Sequence, residues 1–318
     1  MNIRTDGRNP GRRLMASLVG MVLMMVATSP LVATGKLNVV TATSDLAALV
    51  NEVGGDRVNV VSIAKGYQDP HFVEAKPSFL LQLRKADLLV SVGLQLEIGW
   101  LPPLITQSGN PKIQPASQGY FEASQFAEIL EIPTAQVSRA MGDVHPLGNP
   151  HYWLDPKNGG RVAVGLAQKL SQMSPGDAPY FNQRLQNFQK RLADAERRWD
   201  EQMKPYRGRK VVTYHQSWPN FVKCFGLQVV DYVESRPGIP PSPAHVVDLI
   251  SQMKRQNVKL ILVEPYFDLK TPQSVARETG AQVVVLMPSV GGNNETGDYL
   301  KLFDYDINTL VKAFQQAR

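Results

Sequence analysis

Five histidines stand in the 318-residue chain, at positions 71, 145, 151, 215 and 245. Neutral imidazole is a ligand for transition metals, and the setting of three of these points to that chemistry. His71 and His151 each follow a proline directly, in Asp69-Pro70-His71 and Asn149-Pro150-His151. Proline fixes its own φ and restricts the residue before it, so both histidines sit on a stiff backbone and lose little entropy when ordered. His215 directly follows the β-rich run 211–214. Zinc binds such ligands at about 2.0–2.1 Å in a tetrahedral shell, so three histidines leave one position for a carboxylate or water. His71, His151 and His215 are the expected metal ligands. His145 reads as an exposed loop residue, with an auxiliary ligand as the sharper alternative. His245 reads as structural, at the third position of a helix begun by Ser242. Tyr152 and Trp153 are expected to pack. Asp155, before Pro156, is a helix N-cap or a partner that orients an imidazole. Glu264 ends a strand and is a rival fourth ligand.

Strands and helices alternate around these residues. Strands are expected at 37–43, 58–63, 88–92, 211–214, 227–233, 259–263 and 282–286. Helices are expected at 44–53 with Ser44 as N-cap, from Pro77, at 96–105 broken by Pro102-Pro103, from Asp155, at 218–225, from Ser242 to about Gln256, at 272–279 and at 299–316. The longest helical pattern runs from about Pro179 to Met203, with Phe181, Leu185, Phe188, Leu192, Ala195 and Trp199 recurring every three to four residues. At 1.5 Å per residue it would extend roughly 37 Å, suited to a strut between two lobes. The alternation argues for an α/β fold: parallel sheets with helical crossovers, with ligands beyond the carboxyl ends of the strands. The parsing is 1–33 as a leader, 34–172 as an N-terminal lobe, 173–208 as a linker with the strut and 209–318 as a C-terminal lobe. No strong internal repeat is visible.

The formal charge is +6. Residues 1–33 carry four arginines against one aspartate, and without them 30 basic and 27 acidic residues leave +3. That is too mild for nucleic acid, and no stripe of basic and aromatic residues is present. Arg12-Arg13 followed by the apolar run 14–27 reads as a signal peptide cleaved near Ala33, an uncleaved anchor being the alternative. No cysteine follows that run, so a lipid-modified N-terminus is not expected. Cys224 is the single cysteine, and it reads as a buried structural thiol of a periplasmic protein.

Asp69-Pro70-His71, Pro77-Ser78, the stretch from Asn149 to Pro156, Tyr214-His215 and Pro241-Ser242-Pro243 together resemble the zinc and manganese solute-binding proteins of ABC importers. The resemblance covers nearly all of the chain after the leader. It implies two Rossmann-like lobes with parallel sheets joined by one long α-helix, the metal held in the interlobe cleft, and delivery to a membrane permease driven by an ATPase. His71, His151 and His215 fall on the family's ligand positions, and histidine at 215 is similar to zinc-type members. The implied cargo is Zn²⁺, with Mn²⁺ the alternative, in a periplasmic monomer. Two departures stand out. The loop from Met287 to Gly292 lacks the acidic fourth ligand many members have, leaving water, Glu295, Asp298 or Glu264. The loop 133–148 has only His145 where many zinc members carry a histidine-rich tract. A zinc hydrolase is the alternative from another class, although no His-Glu-x-x-His pair and no obvious general base are present, so no enzyme is expected. A surface adhesin is a third reading.

Overall fold

The computed structural model describes residues 35–138 and 141–317. The expected leader lies outside the described residues. The first half builds β1 (Leu37–Thr41), α1 (Ser44–Gly54), β2 (Val58–Ser62), α2 (Pro77–Lys85), β3 (Leu88–Ser91), α3 (Leu101–Ser108) and β4 (Tyr120–Glu122). Two long helices follow, α4 (Pro156–Met173) and α5 (Ala178–Met203). The second half builds β5 (Lys210–Thr213), α6 (Pro219–Phe225), β6 (Gln228–Tyr232), α7 (Pro243–Gln256), β7 (Leu260–Val263), α8 (Lys270–Thr279), β8 (Gln282–Val285) and α9 (Tyr299–Gln316).

The strands form two parallel four-stranded sheets, ordered β2-β1-β3-β4 and β6-β5-β7-β8. Both lobes therefore share one strand order although their sequences show no repeat. In the first sheet Val39 pairs with Val60 on one side and Leu88 on the other. β3 and β7 are buried at every position, as strands covered on both faces must be. In such sheets the connections leaving the carboxyl ends frame a crevice. The β2–α2 loop and the segments after β5 and β6 gather there.

α5 joins the lobes. Its 26 residues bury Phe181, Phe188, Leu192, Ala195, Trp199 and Met203, a 3.6-residue stripe that packs on α1 and α4 in one lobe and α9 in the other. Arg184 donates to the Asn51 and Glu52 carbonyls at the end of α1. Trp199 Nε1 donates to Asp304 Oδ1 at 2.7 Å. One cluster of buried side chains runs through both lobes, from Leu88 and Trp153 through Phe188 and Trp199 to Phe221 and Phe303.

Three local expectations need correction. Ser44 is the first helical residue of α1, and Thr43 occupies the cap position without a side-chain cap bond. Pro102 and Pro103 start α3 instead of breaking a helix, because the first turn has no use for their missing N–H groups. Trp100 stands just before that helix, and its Nε1 donates to the Pro70 carbonyl at 2.9 Å. β4 was not expected, since three residues carry no readable period.

Candidate metal centre

His71 lies in the loop between β2 and α2. Asp69 Oδ1 accepts the His71 backbone N–H at 2.9 Å and lies 2.7 Å from its Nδ1. His151 repeats this arrangement. Asn149 Oδ1 accepts the His151 N–H at 3.0 Å and lies 2.9 Å from Nδ1. The Asn149 amide donates to Glu131 Oε2 at 2.9 Å and across the cleft to the Gln216 carbonyl at 2.8 Å. The Asx-Pro-His tripeptide is thus a local device: an Asx turn whose oxygen also holds the ring two residues on. His215 directly follows Tyr214 at the end of β5. Its Nδ1 lies 2.9 Å from Glu234 Oε2, which also accepts the Gly238 N–H at 3.0 Å.

Each Nδ1 therefore faces a fixed acceptor, which assigns the proton to Nδ1 and leaves the Nε2 lone pair for the cleft. The ring centroids lie 5.2 Å apart for His71 and His151, 5.5 Å for His71 and His215, and 5.8 Å for His151 and His215. Ligand atoms from the three all lie within 4.8 Å of one another. His151 Nε2 is buried with no partner. An orphaned buried nitrogen is costly unless something fills its valence, and a cation could do so here.

Electrostatics keep His151 in the form that binds metal. Burial first, and then the neighbouring imidazoles of His71, His215 and His145, hold it well below the usual histidine range. Burial works to raise Asp69, but hydrogen bonds from His71 outweigh it and keep that carboxyl below its usual value. Asp69 is thus an anion beside a ligand ring.

The residues after His151 anchor it. Asp155 caps α4, accepting the Lys157 N–H at 2.9 Å. Tyr152 and Trp153 are buried and pack as expected. Tyr152 Oη donates to the Val92 carbonyl and Trp153 Nε1 to the Pro288 carbonyl in the other lobe, both at 2.8 Å. His245 is structural, its N–H donating to the Ser242 cap and its Nε2 lying 2.8 Å from the Tyr232 carbonyl. Cys224 is half-buried, and burial pushes its thiol up, away from reactive thiolate.

His145 is not the exposed loop residue expected. It is half-buried, with Nε2 3.3 Å from His71 Nε2. Burial, then His71 and His215, push it down to about 4. The acidic candidates for a fourth ligand are engaged elsewhere or stand apart. Asp298 caps α9 by accepting the Leu300 and Lys301 N–H groups. Glu295 is exposed. Glu264 is wholly buried, accepts from Trp218 Nε1 at 2.9 Å, and is pushed up to about 8 by burial. Sequence reasoning missed Glu234 and the ring-holding roles of Asp69 and Asn149. The repeated Asx-Pro-His spacing was a signal for the latter two. Glu234 had none, because its link to His215 spans two strands.

Comparisons with known proteins follow the same lines. The family model described as zinc-uptake complex component A, periplasmic (ZnuA), matches residues 39–313. A metal ABC transporter substrate-binding lipoprotein of Lactococcus lactis is 24% identical, covering 87% of this chain and 88% of its own. The manganese ABC transporter substrate-binding lipoprotein PsaA of Streptococcus pneumoniae is 24% identical over 95% and 96% of the two chains. A crystal structure of ZnuA superposes with a TM-score of 0.73 at 24% identity, covering 87% of this chain and 99% of its own. The laminin-binding protein Lmb of Streptococcus agalactiae, titled a bifunctional adhesin and metal transporter, gives 0.72 at 25% identity over 87% and 99%.

Proposed function

Because the chain belongs to the ZnuA family, the metal-binding substrate-binding components of ABC importers, we propose that its own cargo is Zn²⁺, held by His71, His151 and His215. Proteins of this family work with a permease and an ATPase and are not enzymes, so the hydrolase alternative falls. The observation that carries the zinc reading is the donor set. One ring nitrogen from each of the three converges within 4.8 Å, each Nδ1 faces a side-chain acceptor, and no carboxylate oxygen belongs to the cluster among the described residues. Imidazole suits zinc, whereas manganese prefers more oxygen.

Manganese is the second reading, favoured by the name of the Streptococcus pneumoniae relative. Titration of the metal-free full chain with each ion against a chromophoric chelator separates the two. The zinc reading expects one tightly held Zn²⁺ per chain that excess Mn²⁺ does not displace. Tighter binding of Mn²⁺ would overturn it.

The protein would load zinc as an exported monomer in the periplasm and dock both lobes on the permease. No helix among the described residues is long and apolar enough to cross a membrane. The adhesin reading has no supporting feature at the cleft.

A further inference from the structure

The site as read above has three protein ligands, and zinc takes four. The sequence leaves water, Glu295, Asp298 or Glu264 for that position, and none of these three acids joins the cluster. His145 stands outside that 4.8 Å cluster but meets its edge at His71. It sits in the loop 141–148, six residues before His151, and lines the same cavity as His71. A tetrahedral zinc shell with bonds of about 2.0–2.1 Å has edges of about 3.3–3.4 Å between its nitrogens. The Nε2 atoms of His145 and His71 are 3.3 Å apart. His145, His151 and His215 line one small pocket of about 40 Å³ together with Glu131 and Asp143, room for an ion and little more, while His71 and His145 both line the larger cavity beside it.

The loop is placed to hold this position from both lobes. The Asp143 N–H donates to the Pro237 carbonyl at 2.9 Å. The contact is close: a Cβ on Gly142 would meet the Pro237 oxygen at 2.2 Å, and one on Gly238 would meet Asp143 Oδ2 at 2.1 Å. Pro237 and Gly238 belong to the turn whose Gly238 N–H binds Glu234, the partner of His215.

We propose that His145 is the fourth ligand, so that the bound cation is held by four imidazoles, three fixed through Nδ1 by a side-chain partner and one on the loop 141–148. The inference rests on the reading of His71, His151 and His215 as ligands. Those three are fixed by Asp69, Asn149 and Glu234. His145 lacks an equivalent carboxylate or amide, so it is the first ligand to leave, and release passes through its detachment.

The test is X-ray absorption on the zinc-loaded full chain, together with zinc release to excess chelator followed by stopped flow. The expected wild-type spectrum fits four imidazoles. His145→Ala should fit three imidazoles and one oxygen, and should release zinc faster by about 10–100-fold, the range found even when an outer partner of a ligand is lost. His245→Ala should match wild type, and a thermal melt of metal-free His145→Ala should show an intact fold. A wild-type spectrum of three imidazoles and one oxygen, with unchanged release from His145→Ala, would overturn the inference and leave the three-histidine site standing. A wild-type chain that binds no zinc would overturn both.

Discussion

At the scale of single residues, the three histidines were legible because their flanking sequence carries information. Asp69-Pro70-His71 and Asn149-Pro150-His151 repeat one tripeptide grammar, and in the structure one oxygen meets both the backbone N–H and the ring in each. Glu234 was not legible, because parallel pairing between β5 and β6 brings it to His215. Removing these holders should weaken the site while the ligands remain. Asp69→Ala, Asn149→Ala and Glu234→Ala are each expected to lower zinc affinity about 10–100-fold in chelator competition. Glu234→Gln should lose less, since its amide oxygen still accepts from Nδ1. Buried acids make a second residue-scale prediction. Burial pushes Asp45 and Glu97 up to about 7 and Glu264 to about 8. A raised folded pKa means the folded chain holds protons that the unfolded chain has already released near pH 4–5, so stability falls as pH rises toward the folded values. His145 and His151, whose folded values lie lower, oppose this only while the unfolded chain titrates around 6.5, a small contribution that is complete by about pH 7.5. The metal-free protein should therefore melt at a lower temperature at pH 8.5 than at pH 6.5, and Glu264→Gln should reduce that difference.

At the scale of elements, long periodic patterns were readable and short ones were not. The apolar residues of α5 recur at helical spacing over seven turns, and that signal survives any tertiary context. β4 is three residues long and is defined only by pairing with β3. The proline pair of α3 was misread because proline excludes a helix interior but favours a helix start. α5 carries its own test. Trp199 is fully buried and joins the strut to α9 through Phe303 and Asp304. Trp199→Ala should cost about 3–5 kcal/mol in a urea melt, a core truncation that also strips Asp304 of its donor. A loss below 1 kcal/mol would show that the helix is a spacer and not a packed member of both lobes.

At the scale of the whole molecule, the alternation of strands and helices predicted two parallel sheets joined by a long helix, and the family comparison supports that architecture. The sequence did not reveal how closely the lobes are joined. Asp45 Oδ1 accepts the Val290 N–H at 2.9 Å across the lobes, and Gly66 leaves no space for a Cβ against the Val290 carbonyl. Tyr299 Oη donates to the Trp153 carbonyl at 2.5 Å, beside the metal centre. These contacts connect residues more than a hundred positions apart, so no local pattern could announce them. With α5 and a shared core, they leave little freedom for a wide closing motion. Selectivity then rests on the donor set at the cleft. The most direct measurement is zinc content by mass spectrometry, followed by chelator competition, on the wild-type chain and on the His71→Ala, His151→Ala, His215→Ala triple variant. The account predicts one tightly held zinc per wild-type chain and none on a folded triple variant. A triple variant that keeps one zinc at wild-type affinity would contradict it.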